Sequence, residues 1–215
     1  INGLSLNRSP FCEIRGNTVY SNLGAGISIY RDCYNTGVIH NVSYLNEGRG
    51  ITIDRNCTGS YVINNTAYHN SDELLYSANS IPGDIINNIL WASGTDNTAI
   101  TLGSVTDLTS NYNILKADDG AYIGFYGGDQ PTLNDWQSAS GEDGASLDLD
   151  PVFVDPAGGD FHIQSPIGSY HGGAWTPDLN GSPALNQGQV YIADSYLTSA
   201  IDSSSSFMEL SDAAE

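Results

Sequence analysis

Gly26-Ile27-Ser28-Ile29-Tyr30-Arg31-Asp32-Cys33 returns 24 positions later as Gly50-Ile51-Thr52-Ile53-Asp54-Arg55-Asn56-Cys57. At the same offset, Asn41-Val42-Ser43-Tyr44-Leu45-Asn46 is answered by Asn65-Thr66-Ala67-Tyr68-His69-Asn70. A fixed short period is the mark of a chain built from stacked, similar units. Outward from this pair the same asparagine recurs once per unit, as Asn17, Asn41, Asn65, Asn88 and Asn113.

Each unit opens on a triplet with apolar outer positions, mostly around a polar one: Leu4-Ser5-Leu6, Ile27-Ser28-Ile29, Ile51-Thr52-Ile53, Leu74-Leu75-Tyr76 and, less cleanly, Ile100-Thr101-Leu102. Alternation of this kind specifies a strand. A further short strand is expected just before the asparagine, at Cys12 to Ile14, Gly37 to Ile39, Tyr61 to Ile63 and Asp84 to Ile86. Two residues after it come Val19, Ser43, Ala67, Leu90 and Leu115, small or apolar and therefore inward. Three strands in so short a unit leave no room for a crossover helix, so the simplest arrangement is an all-β solenoid whose coils each add one strand to three parallel sheets. Inward asparagines at the bends then bond turn backbone and the amide one coil away. Gly3, Gly26 and Gly50 are expected to supply positive φ at the entry to the strand.

After Asn113 the rhythm loosens. Tyr122 to Tyr126 reads as a strand, Leu133 to Gln137 as one helical turn with Trp136 inward, and Pro151 to Val154 and Asp160 to Gln164 as strands. Residues 1–188 are expected to form one β-helix with irregular C-terminal coils, and residues 189–215, rich in Ser, Asp and Ala, a polar tail or linker.

The chain has 215 residues, enough for one sizeable core, and a net charge of -19 from 25 acids against six bases. Residues 1–100 carry eight acids and five Arg, whereas the remainder carries 17 acids and one Lys, so the negative charge belongs to the second half. Such a surface repels nucleic acid and anionic lipid and attracts cations. No apolar run is long enough for a membrane span. Three cysteines cannot all pair; Cys33 and Cys57 share a column of the repeat, where parallel side chains suit a disulfide poorly, so stacked thiols are expected. The sequence opens in mid-phrase at Ile1-Asn2-Gly3-Leu4, so the first coil is expected to need a cover, either upstream β-helix coils or a second copy in a homo-oligomer.

The repeat "GIxIxRxC…NxxYxN", with Asp135-Trp136-Gln137, Leu149-Asp150-Pro151-Val152-Phe153-Val154-Asp155-Pro156, Gly159-Asp160-Phe161-His162-Ile163 and Ser182-Pro183-Ala184, resembles the right-handed parallel β-helix proteins of the pectate-lyase-like superfamily. It is most similar to the bacterial extracellular type that closes with "DPxFVDPxxGDFxL…SPA". The resemblance implies a right-handed coil, an extracellular or cell-surface location, and polysaccharide as partner. In a lyase of this type a base takes the C5 proton of an acidic sugar while Arg or Ca²⁺ neutralises its carboxylate. No lyase motif is matched here, so a polysaccharide-binding domain with or without cleavage stands beside a structural module of a larger surface protein or filament.

Four groups of residues are candidates. Arg8, Arg31 and Arg55 form a column at the exit of the first strand, suited to carboxylates across it or to neutralisation by the flanking Asp32 and Asp54. Tyr20, Tyr44, Tyr68 and Trp91 form an aromatic column, either a platform for sugar rings or cross-strand packing covered by a loop. Asp118, Asp119, Asp148 and Asp150 lie in acidic, turn-rich chain that would suit Ca²⁺, with turn capping as the other reading. His40, His69, His162 and His171 are the imidazoles open to acid–base work. Sequons stand at Asn7, Asn41, Asn56 and Asn64, of which Asn41 is expected to be inward.

Overall fold

The computed structural model describes residues 1–77, 83–103 and 108–189, so the polar tail expected from residue 189 onward lies, beyond its first residue, outside the described chain. Five coils each contribute three strands. They are β1 (Leu4–Asn7), β2 (Glu13–Arg15) and β3 (Thr18–Tyr20); β4 (Ile27–Tyr30), β5 (Gly37–Ile39) and β6 (Val42–Tyr44); β7 (Ile51–Asp54), β8 (Tyr61–Ile63) and β9 (Thr66–Tyr68); β10 (Leu74–Tyr76), β11 (Asp84–Ile86) and β12 (Ile89–Ser93); and β13 (Thr98–Leu102), β14 (Thr109–Asn111) and β15 (Ile114–Asp118). A sixth strand, β16 (Tyr122–Phe125), continues the first sheet, and β17 (Asp129–Gln130) closes it antiparallel.

Like strands stack on like. β1-β4-β7-β10-β13-β16 form one sheet, β2-β5-β8-β11-β14 the second and β3-β6-β9-β12-β15 the third, so the chain is a parallel β-solenoid of about 24 residues per turn. The register is the one that the repeat dictates: Leu4, Ile27, Ile51, Leu74 and Ile100 lie over one another, with Leu6, Ile29, Ile53, Tyr76 and Leu102 two places along. From the second coil to the fifth these two columns are fully or almost fully buried, and with Val38, Val62, Ile85, Leu90 and Leu115 they make the core. Burial of that apolar surface is the main stabilising term.

The corner between second and third sheets is turned by one left-handed residue per coil, Gly16, His40, Asn64, Asn87 and Tyr112, with φ of 69°, 54°, 56°, 60° and 56°. The next residue is the ladder asparagine. Asn17 Nδ2 donates to Asn41 Oδ1, Asn41 to Asn65, Asn65 to Asn88 and Asn88 to Asn113, at 3.1, 3.0, 3.1 and 3.1 Å. A second ladder stands at the next corner, where Asn22 donates to Asn46 and Asn46 to Asn70, each at 2.9 Å, and Asn70 donates to the buried Glu73.

This second ladder corrects the expectation for the glycines. Gly3, Gly26 and Gly50 do not have positive φ. They are glycine because a Cβ has no room: one on Gly26 would lie 2.1 Å from Ser43 Oγ and 2.7 Å from Asn46 Nδ2.

Helix α1 (Leu133–Ser140) caps the last coil, longer than the single turn expected. Thr132 and Asp135 form its capping box, and Gly141 ends it at φ 78°. Trp136 is fully buried, and its ring occupies the place a Cβ on Gly124 would take, 2.3 Å from the nearest ring carbon. Beyond the cap the chain touches the third sheet once more, where Leu147 bridges Ile114 in parallel, and then leaves the solenoid. It forms two antiparallel hairpins, β18 (Phe153–Asp155) with β19 (Asp160–Ile163) and β20 (Ser169–His171) with β21 (Ala174–Thr176). No helix among the described residues is long and apolar enough to cross a membrane.

Candidate functional site

The phrase Gly-Ile-x-Ile-x-Arg-x-Cys is one strand followed by one arc. The strand runs to Tyr30 or Asp54; the arginine then takes a left-handed conformation, with φ of 52°, 57° and 60° at Arg8, Arg31 and Arg55. Two residues on, Cys33 and Cys57 are fully buried. No disulfide joins the three cysteines, as expected from the stacking, and burial pushes the Cys57 thiol up to about 11. Backbone bonds hold arc on arc: Arg8 N–H donates to the Arg31 carbonyl at 2.8 Å, and Arg31 N–H to that of Asp54 at 3.1 Å. The arginines therefore stack at the coil spacing, ~4.8 Å.

Tyr30 lies in register with Asn7 and Asp54, one position before the arginines. The guanidinium carbons of Arg31 and Arg55 stand 4.9 and 5.1 Å from its ring centroid, a cation–π arrangement that holds both groups extended over the sheet. Reading down the register, rather than along the repeat, would have found Tyr30 in the sequence.

The pairing of the six basic side chains separates this column from the rest. Arg15 meets Glu13 at 3.0 Å, Arg49 meets Asp72 at 3.0 Å, and Lys116 meets Asp118 at 3.2 Å. Among the described residues, Arg8 and Arg31 have no carboxylate within 4.0 Å, and Arg55 has only Asp54, at 3.9 Å. Asp32, which could have neutralised the column, instead accepts from Asn56 Nδ2 at 2.7 Å. Three cations thus face solvent together, beside a shallow cleft of about 710 Å³ lined by Arg8, Arg31, Asp32, Asp54, Arg55 and Asn56. Through Asp54 it joins a second cleft of about 370 Å³ over the outward hydroxyls of Ser5, Ser28 and Thr52. The two make one groove along the outer face of the first sheet, with guanidinium, hydroxyl, phenol and carboxylate groups and no imidazole or ammonium in its lining.

The aromatic column stands on a different sheet, so it does not complete this groove. Tyr20 and Tyr44 stack at 4.9 Å, and Tyr20 is half exposed. Tyr44, Tyr68 and Trp91 are covered by the β18–β19 hairpin: Phe161 lies 4.9 Å from Tyr44 and 5.2 Å from Tyr68, and Phe153 stacks on Trp91 at 6.3 Å. These three rings are the seat of the hairpin.

The four acidic residues do not share one centre. Asp118 accepts from Trp91 Nε1 at 2.8 Å and pairs with Lys116, Asp119 accepts from Ser93 Oγ at 3.0 Å, and Asp150 caps the Val152 N–H at 2.7 Å. Burial raises the pKa of Asp148, with Lys116 opposing. Among the described residues no group of three His, Cys, Asp or Glu side chains is placed to hold a metal ion.

The imidazoles divide. His69 is stacked on Tyr68 at 3.7 Å with Nε2 buried and unpartnered, and burial holds its pKa below the ordinary value although Asp118 and Asp119 pull it up. Ser169, His171 and Asp178 cluster, but Ser169 Oγ and Asp178 Oδ1 both meet His171 Nε2, at 3.1 and 2.8 Å, whereas a triad bridges through the two different nitrogens. His162 Nδ1 lies 2.6 Å from Asp160 Oδ1; burial pushes the Asp160 carboxyl up, but that bond, the His162 N–H and the charges of His162 and His171 together hold it below its ordinary value. His40 and His162 line one cleft, a pairing invisible to the 24-residue period because the hairpin lies outside it.

No family model matches the sequence, and neither a curated protein nor a solved structure does.

Proposed function

We propose that this solenoid is a polysaccharide-binding domain of the right-handed, pectate-lyase-like type, working outside the cell or at its surface, that lays an acidic glycan along the Arg8–Arg31–Arg55 column. The observation that carries this reading is the contrast in pairing: half of the basic side chains are held at 3.0 to 3.2 Å by carboxylates, and the other half stand together with one contact at 3.9 Å. Like charges stacked at the coil spacing repel, and a bound polyanion removes that repulsion. In a chain of net charge -19 such a patch attracts an anionic polymer that the acidic remainder repels. Guanidinium forks suit uronate carboxylates, Tyr30 fixes their direction, and the Ser5, Ser28 and Thr52 hydroxyls offer partners to ring oxygens.

Affinity electrophoresis and calorimetry with polygalacturonate and alginate at low salt test the reading. Retardation is expected, weakening with ionic strength because the contacts are exposed. Arg31→Ala and Arg55→Ala should each weaken binding about tenfold, the loss of one charge-assisted contact. Arg15→Ala, at a position outside both clefts, should leave it unchanged. Absence of retardation, or equal loss in the Arg15 variant, defeats the proposal. Following the unsaturated product by absorbance, with and without Ca²⁺, asks whether cleavage accompanies binding.

A further inference from the structure

The left-handed corner residues stack coil on coil, and a second wall rises opposite them. It is made by the β18–β19 hairpin and by residues 184–188. Between them lies a cleft of about 630 Å³, lined on one side by Thr18, His40 and Thr66 and on the other by Phe161 and His162. Past Asn64, which belongs to both, it narrows into a pocket of about 250 Å³ lined by Tyr112, Ile114, Leu147, Ile163 and Gln187. From Thr18 in the first coil to Ile114 in the fifth is four coil steps, roughly 19 Å at ~4.8 Å each.

We infer that this trough is a second ligand site, which takes a slim, uncharged polyol chain of the neutral oligosaccharide class. No Arg or Lys lines either part. Its one carboxylate, Asp160, is engaged by His162 Nδ1 at 2.6 Å and by the His162 N–H at 3.1 Å. What remains is a set of neutral groups: threonine hydroxyls, the amides of Asn64 and Gln187, two imidazoles and a tyrosine, over an apolar floor of Val42, Ile89 and Ile114. A few convergent polar groups on an apolar surface are what a ligand with alternating hydroxyl and C–H faces requires. With the Nδ1 proton directed at Asp160, His162 keeps Nε2 as an acceptor for a ligand hydroxyl. This trough lies along the third sheet and its corner with the second, whereas the arginine groove lies along the first, so the two sites are independent.

Histidine side-chain NMR on the full chain, titrated with cello-, xylo-, manno- and maltohexaose at millimolar concentration, tests the inference. At least one of the four is expected to shift the His40 and His162 resonances saturably. His162→Ala, an exposed position, should weaken that binding at least tenfold, as should Thr66→Arg, which fills the cleft. Arg31→Ala and Arg55→Ala should not alter it, and melting temperatures show whether each variant is folded. The inference is overturned if none of the four moves either histidine, if binding survives His162→Ala in a folded protein, or if an unrelated decapeptide produces the same shifts.

Discussion

Asn113 donates its Nδ2 hydrogen to Asp143 Oδ1 at 2.9 Å, and there the longer amide ladder stops. Within the ladder each asparagine accepts on Oδ1 and passes a hydrogen on through Nδ2. The last member therefore needs a partner that accepts without having to donate. Asp143 is that partner: fully buried, it also takes Ser110 Oγ and Trp136 Nε1 at 2.8 Å each and Ser146 Oγ at 2.5 Å. Glu73 ends the shorter ladder in the same way, accepting both the Asn70 N–H and its Nδ2.

Asp143→Asn puts an amide where four donors converge, so one N–H meets another and one donor loses its acceptor. Hydrogen bonds to a charged, buried group are worth about 1.5 to 3 kcal/mol each, and the expected loss is about 2 to 4 kcal/mol. For a domain of this size that lowers Tm by about 5 to 15 °C. Thermal unfolding followed by circular dichroism reads the shift, and an unchanged Tm would show that Asp143 is not the terminator.

Position in the ladder should set the cost of removing a member. Asn65 accepts from Asn41 N–H and Nδ2 at 2.9 and 3.0 Å, and donates to the Val38 carbonyl at 2.7 Å. Asn65→Ala takes a partner from the buried Asn41 N–H and the Val38 carbonyl and leaves Asn41 Nδ2 only its bond to the Ile14 carbonyl, at about 3 to 5 kcal/mol. Asn17, at the end of the ladder and partly exposed, has water as a substitute, and Asn17→Ala should cost less than about 1 kcal/mol. Chemical denaturation of the two variants measures the difference, and equal losses would contradict the ladder as a stabilising unit.

Burial pushes the Glu73 carboxyl up from 4.5 to about 8, against the two Asn70 bonds that favour its anion. A group whose folded pKa is raised gives its full stabilisation below the unfolded value and loses it as pH rises through the folded one. Between about pH 4.5 and 8 the folded protein should therefore lose a few kcal/mol of stability from this site. Glu73→Gln, which cannot ionise, should lose less stability than the parent between pH 5 and pH 8, whatever constant offset its amide introduces beside the two Asn70 donors. Parallel pH titrations of stability that stay a constant distance apart would refute this.

The solenoid was legible because its determinant is local and repeated: Ile27-Ser28-Ile29 and Ile51-Thr52-Ile53 specify strand, face and register at once. The ladder from Asn17 to Asn113 was legible for the same reason, and so was the arginine column. What lay outside the period was not. Phe153 and Phe161 cover Tyr44, Tyr68 and Trp91 through a hairpin whose docking is set by shape rather than spacing. Glu73 and Asp143 each occur once, at the end of a ladder, and a feature that occurs once carries no periodic signal.

Gly26→Ala separates two reasons for a glycine. If conformational freedom were the need, alanine would be penalised through φ, yet Gly26 does not have positive φ. The obstacle is instead the neighbouring coil, since a Cβ would stand 2.1 Å from Ser43 Oγ and 2.9 Å from the Gly50 carbonyl oxygen. Relief requires moving Ser43, which donates to that carbonyl at 2.9 Å and accepts from Asn46 Nδ2 at 3.2 Å. Gly26→Ala should therefore cost about 1 to 3 kcal/mol through overpacking. Pairing it with Ser43→Ala, which vacates the nearest atom, should recover part of that loss in a double-mutant cycle. A cycle with no coupling would mean that the second ladder does not dictate this glycine.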